Sequence, residues 1–253
     1  MKTLLLTLTA ALAASANGAP VRAFLTTADQ QQLLAPSAVD NKASKPGEVI
    51  RIDPRRQHQR IAGFGAAITE GSAWLMRHGM SDAQRDALMR ELFTREGGGL
   101  GFEFTRLTIG ASDFSRSHYS LDDMPAGQTD PQLKHFSLAK EREDVIPAVK
   151  QALALNPKLQ VMASPWSAPG WMKTTDSLVQ GQLKPEFYGA FANYMVRYVE
   201  DMKAEGVPIF ALTLQNEPHF EPGDYPGMRV PPATRAAVVG QHLGPLLKAK
   251  GMK

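Results

Sequence analysis

The sequence predicts an α/β fold built on a parallel sheet. Three observations carry this. Four strand–helix units follow one another between residues 60 and 251. The last three of the four strands read as apolar on both faces, the pattern of strands covered by helices on each side. Ionisable and aromatic residues collect just past the strands, where enzymes with parallel sheets build their sites. An open doubly wound sheet and part of an eight-stranded barrel both satisfy these observations.

The elements follow in order. Ahead of the repeating units, Val49-Ile50-Arg51-Ile52 alternates like a short strand. "RIAGFGAAIT" (60–69) reads as the first strand of the sheet. "SDAQRDALMRELF" (81–93) reads as a helix, with Ser81 as N-cap and Gln84 at the capping-box position. "FEFTRLTI" (102–109) is the second strand. "AKEREDVIPAVKQALAL" (139–155) is helical, with Pro147 expected to kink it or to start its main part. "LQVMAS" (159–164) is the third strand. In "PEFYGAFANYMVRYVEDMKAEG" (185–206), Phe187, Phe191, Tyr194, Met195, Tyr198 and Met202 recur at helical spacing, and Gly206 suits the stop. "IFALTL" (209–214) is the fourth strand. "PPATRAAVVGQHLGPLLKAKG" (231–251) is a helix interrupted near Gly244-Pro245.

Composition bounds the function. The chain has 253 residues, 43% of them hydrophobic, enough for one sizeable core. The net charge is +3, and no dense Lys/Arg cluster with interleaved aromatics marks a nucleic-acid partner. Absence of cysteine excludes disulfides, thiolate metal sites and a Cys nucleophile. Residues 1–19 have the form of an export signal: Lys2, an apolar stretch from Leu4 to Ala14, and a small-residue Ala14-Ser15-Ala16 cleavage pattern. A secreted or periplasmic protein without an integral membrane segment is expected.

The chemistry concentrates in "ALTLQNEPHF" (211–220), where an apolar strand stops at Gln215-Asn216-Glu217-Pro218. Glycoside hydrolysis needs a protonated carboxylic acid for the leaving oxygen and a second carboxylate as nucleophile or base. Glu217 supplies the acid, and Asn216 an amide able to hydrogen-bond a sugar hydroxyl. The preceding loop, "SPWSAPGWMKTT" (164–175), carries Trp166 and Trp171. An indole beside polar groups suits a sugar, whose ring has an apolar face and polar edges. Ordinary core aromatics are the other reading of this loop. Glu70 and Asp113 lie just beyond the first and second strands, and Arg106 lies within the second.

Four stretches in this order, "GFGAAITE", "RLTIGASDFS", "ASPWSAPGWMKTT" and "TLQNEPHF", closely resemble glycoside hydrolase family 30, the glucosylceramidase-like enzymes and their β-1,6-glucanase relatives. The likeness covers residues 45–253. It implies the N-terminal half of a (β/α)8 TIM barrel over residues 56–253, and a segment, 20–55, contributing to a side β-sandwich. It implies retaining hydrolysis of a β-glucoside, a glucosylated lipid or a β-glucan, with no cofactor. Matched residue by residue, Glu217 is the general acid/base and Asn216 contacts the 2-hydroxyl. Trp166 and Glu70 line the glucose pocket, and Arg106 orients the carboxylate pair. The family's nucleophile is a Glu on the seventh strand, and no position of this chain matches it. The segment alone is therefore expected to be inactive and poorly stable, with the edge of its fourth strand unpaired.

Other readings have less support. "GFGAAI" (63–68) lacks the third glycine of a dinucleotide fingerprint, and "EGGGLG" (96–101) lacks the Lys-Ser/Thr of a phosphate loop. No G-x-S-x-G or H-E-x-x-H is present. A barrel that binds sugar without cleaving it is the rival from another class.

Overall fold

The computed structural model describes residues 22–38 and 51–252. The export-signal residues 1–19, and Val49 and Ile50, lie outside them. The chain divides after Gln59 into two units. In the first, β1 (Ala23–Leu25) pairs antiparallel with β2 (Ala35–Ser37) as a hairpin. Arg51 and Ile52 have no regular structure, so the alternating strand expected across 49–52 is not formed there.

The second unit holds a four-stranded parallel sheet in the order β3 (Gly65–Ala67), β4 (Phe104–Ile109), β5 (Gln160–Pro165), β6 (Ile209–Leu212). Space order equals chain order, as successive units around a barrel require. β3 is shorter than the ten residues expected. Gly65 opens it because no side chain fits there: a Cβ would lie 1.5 Å from the Phe104 carbonyl oxygen. The pairing continues past β3, with the Ile68 N–H donating to the Arg106 carbonyl at 3.0 Å.

Helices pack on one face of the sheet. α1 (Glu70–His78) starts directly after β3, capped by Thr69 and Ser72, which bond each other's backbone N–H. α2 (Asp82–Phe93) has the predicted box of Ser81 and Gln84. α3 (Ala139–Glu143) and α4 (Val145–Leu155) are separated at Asp144, not at Pro147. Pro147 falls in the first turn of α4, where an N–H has no helical partner to lose. α5 (Tyr188–Ala204) buries Phe191, Tyr194, Met195, Tyr198 and Met202 almost completely. Each such side chain contributes about 1.5–3 kcal/mol of transfer free energy. Gly206, at φ +86°, turns the chain away from α5 into β6. α6 (Pro232–Ala237) passes through a π-helical turn (238–243) into α7 (Gly244–Ala249), so the interruption expected near Gly244-Pro245 is a widened turn and not a gap.

The sheet is not apolar on both faces. Over the first four residues of β4 and β5 one alternating set is buried and the other half-exposed, and the last three residues of each strand are all buried. Thr105 and Leu107 belong to the buried set, and Arg106 to the half-exposed one. The half-exposed face is where Arg106 stands.

Candidate active site

Three parallel strands deliver the site, one from its middle and two from their carboxyl ends. Arg106 projects from β4. Trp166 follows the last residue of β5. Asn216 and Glu217 come four and five residues after β6, and the Asn216 N–H still bonds the Pro165 carbonyl at 2.8 Å, which fixes it beside β5. The guanidinium carbon of Arg106 lies 4.6 Å from the centroid of the Trp166 ring, a cation–π stack. Its Nη2 donates to Asn216 Oδ1 at 2.9 Å. Asn216 Nδ2 in turn points to Glu217 Oε2 at 3.4 Å. Arg106 thus sets the orientation of the amide: with Oδ1 taken as acceptor, the NH2 group faces the carboxylate. Burial lowers the pKa of Arg106, and the negative charges of Asp113 and Glu217 oppose that.

Trp166, Asn216, Glu217, Phe220 and Tyr225 line one cleft. Glu217 is exposed to it, and its backbone has φ +44°, in the left-handed region. That conformation is uncommon outside glycine and costs on the order of 1–2 kcal/mol for an ordinary residue. Flanking bonds hold it: Phe220 N–H to the Glu217 carbonyl at 2.9 Å, and Val230 N–H to the Pro218 carbonyl at 2.9 Å. Desolvation raises the Tyr225 pKa, with further contributions from the charges of Glu217, Asp113 and Asp224, so these carboxylates share one electrostatic neighbourhood. A cationic stack, an aromatic face, an amide and an exposed carboxylate on a rigid turn can orient a polyol ring and exchange a proton with it.

The glycosyl hydrolase family 30 TIM-barrel domain matches residues 61–251. The chain belongs to that family. An endo-1,6-β-D-glucanase of Neurospora crassa is 33% identical over 91% of this chain and 50% of its own length. A putative glucosylceramidase of Caenorhabditis elegans is 33% identical over 67% of this chain and 32% of its own. A solved endo-β1,6-glucanase is 34% identical, with a TM-score of 0.74, over 91% of this chain and 50% of that one. The chain therefore spans half or less of the length of these relatives, and its four strand–helix units are consecutive units of a family 30 barrel.

The structure joins Arg106, Trp166, Asn216 and Glu217 and sets Glu70 apart from their cleft. Glu70 opens α1, is almost fully buried, and has both oxygens engaged by Arg116: the backbone N–H at 2.7 Å and Nε at 2.8 Å. It is not among the residues lining the cleft of Glu217. Both indoles are buried, but their contacts part: Trp166 stacks on Arg106 and lines the cleft. Trp171 is buried, donates its indole N–H to the Asp122 carbonyl at 3.0 Å, and packs edge-on to Phe187, so it is a core aromatic. His219 faces the Arg235 guanidinium at 3.1 Å. Sequence reasoning missed Phe220 and Tyr225, three and eight residues beyond Glu217; their only signal was two aromatics in a Gly/Pro-rich loop.

Proposed function

We propose that this chain carries the proton-donating half of a retaining β-glucoside hydrolase of the endo-1,6-β-glucanase or glucosylceramidase type. The observation that carries the reading is the linked set at the strand ends: Arg106 stacked on Trp166 and bonded to Asn216, with Asn216 beside Glu217. In this reading Trp166 takes the apolar face of the glucosyl ring. Asn216 donates to the 2-hydroxyl, a bond that strengthens as the anomeric carbon gains positive charge. Glu217 protonates the departing oxygen and then takes a proton from the incoming water. A retaining route also needs a carboxylate nucleophile. The resemblance places it on the seventh strand of the family's barrel, and no residue of this chain takes that role. The leader-like residues 1–19 support export to the periplasm or medium.

Glu217→Gln in the complete gene product tests the assignment. Turnover of unactivated β-1,6-linked glucosides should fall by about 10²–10⁴-fold, the range of a lost general acid. Activated aryl glucosides, which leave without a proton, should lose far less in the glycosylation step. Equal losses on both would remove Glu217 from the role. Calorimetric binding of glucosides with no turnover by the unaltered complete gene product would favour a sugar-binding barrel instead.

A further inference from the structure

Lys173 is completely buried, and no salt bridge reaches it among the described residues. Its Nζ spends all three donors on neutral acceptors: Ser167 Oγ at 2.8 Å, the Leu178 carbonyl at 2.7 Å and the Gly227 carbonyl at 2.9 Å. Taking an ammonium out of water without a carboxylate partner is costly, and an apolar side chain would make a cheaper core. The acceptors show what the cost achieves. Ser167 adjoins Trp166, and Leu178 lies further along the same loop after β5. Gly227 lies on the loop after β6 and lines the cleft with Trp166 and Glu217.

We infer that Lys173 is a positioning residue whose ammonium fastens the loop carrying Trp166 to the loop carrying Glu217. Backbone bonds run along the same seam. Gly227 N–H donates to the Leu178 carbonyl at 3.0 Å, so that one carbonyl serves both Gly227 and Lys173. Arg229 N–H donates to the Gly181 carbonyl at 2.9 Å, and Gly181 N–H donates to Glu221 Oε1 at 2.9 Å. Gln215, just ahead of the catalytic pair, donates Nε2 to the Trp166 carbonyl at 2.5 Å. Lys173 is the point at which three segments of this seam converge: 166–167, 178 and 227. Burial pulls its pKa down to about 7, while the charge of Glu221 acts to raise it. The catalytic meaning of the seam rests on the glycosidase reading; its existence does not.

Hydrogen exchange read by mass spectrometry on the 253-residue protein tests this without substrate, so failure of the Glu217 assignment leaves the outcome independent. In Lys173→Met, segments 176–183 and 219–229 should exchange about tenfold faster or more, as expected for losing bonds to a charged donor. Strands β4 and β5 should keep their protection. Because the chain has no cysteine, Lys173→Cys can be aminoethylated in denaturant at that one position and refolded, which returns an ammonium at nearly the same reach. Loop protection should return with it. Unchanged exchange in the two segments of Lys173→Met, or loosening of loops and strands together without recovery on aminoethylation, would overturn the proposal. Should Lys173→Met fail to fold, Ser167→Ala removes one of the three acceptors. The same segments should then loosen by a few-fold, and unchanged protection there would overturn it equally.

Discussion

Replacing Glu141 by Gln should flatten the fall in stability of this protein with rising pH. Glu141 sits in α3, fully buried. One oxygen accepts the Tyr119 hydroxyl at 3.1 Å, and the other has no partner among the described residues. Burial pushes its pKa from 4.5 up to about 8; the charge of Glu70 adds to the rise, and hydrogen bonds from Tyr119 and Gly110 oppose it. The folded protein therefore keeps this proton up to about pH 8, whereas the unfolded chain releases it near 4.5. Between those values the folded state binds more protons, so stability falls as pH rises. A gap of about 3.5 at ~1.36 kcal/mol per pH unit gives about 5 kcal/mol across the window. Tyr119, Tyr194 and Tyr198 stay neutral throughout it, since each has its pKa raised above 10. Asp122, raised to about 6, adds a similar fall below pH 6. Lys173, lowered from 10.5 to about 7, gives the opposite slope above pH 7. Both are unchanged in the variant and cancel in the difference. Urea unfolding followed by tryptophan fluorescence, in steps from pH 4.5 to 8.5, reads that difference. Relative to the unaltered protein, Glu141→Gln should gain on the order of 5 kcal/mol from the acid end to the alkaline end. Parallel profiles, offset by a constant, would refute the burial argument.

Two other outcomes separate structure from site. Trp171→Phe orphans the buried Asp122 carbonyl and should cost about 1–3 kcal/mol in thermal or urea unfolding. Trp166→Ala should instead weaken glucoside affinity by about tenfold or more in calorimetry, the scale of one lost aromatic contact of roughly 1.5 kcal/mol. Reversal of that pattern would exchange the roles of the two indoles. Gly65→Ala forces a methyl carbon into the Phe104 carbonyl and should destabilise the sheet by ~3 kcal/mol or more, measured by melting temperature. A shift of less than a degree would mean that β3 is free to move.

What the sequence shows and hides follows the range of the interactions. The cap of α2 is legible because Ser81 and Gln84 are three residues apart and need nothing from the rest of the chain. α1 is hidden because its cap is Thr69 with Ser72, without the glutamate or glutamine that marks a box, and it follows a three-residue strand. Glu70, placed by the sequence only as lying just beyond the first strand, is the first residue of that helix. Arg106, Trp166, Asn216 and Glu217 are legible as a group, since parallel strands bring their carboxyl ends together whatever the loops do. Arg116 bonds Glu70 across 46 residues, and Lys173 reaches across 54 to Gly227. Such pairings depend on tertiary packing, which spacing does not encode. The same holds for the contacts of Trp171 with Asp122 and Phe187, since it had the same local sequence signal as Trp166.

The left-handed backbone at Glu217 has a consequence for how this protein can change. Glycine would adopt that conformation without strain, and replacing the residue by glycine would ease the fold while deleting the carboxylate. On the proposed function, fitness for folding and fitness for chemistry are therefore opposed at one codon. Selection for heat tolerance alone would tend to wear away the group to which the proposed function assigns the proton transfer.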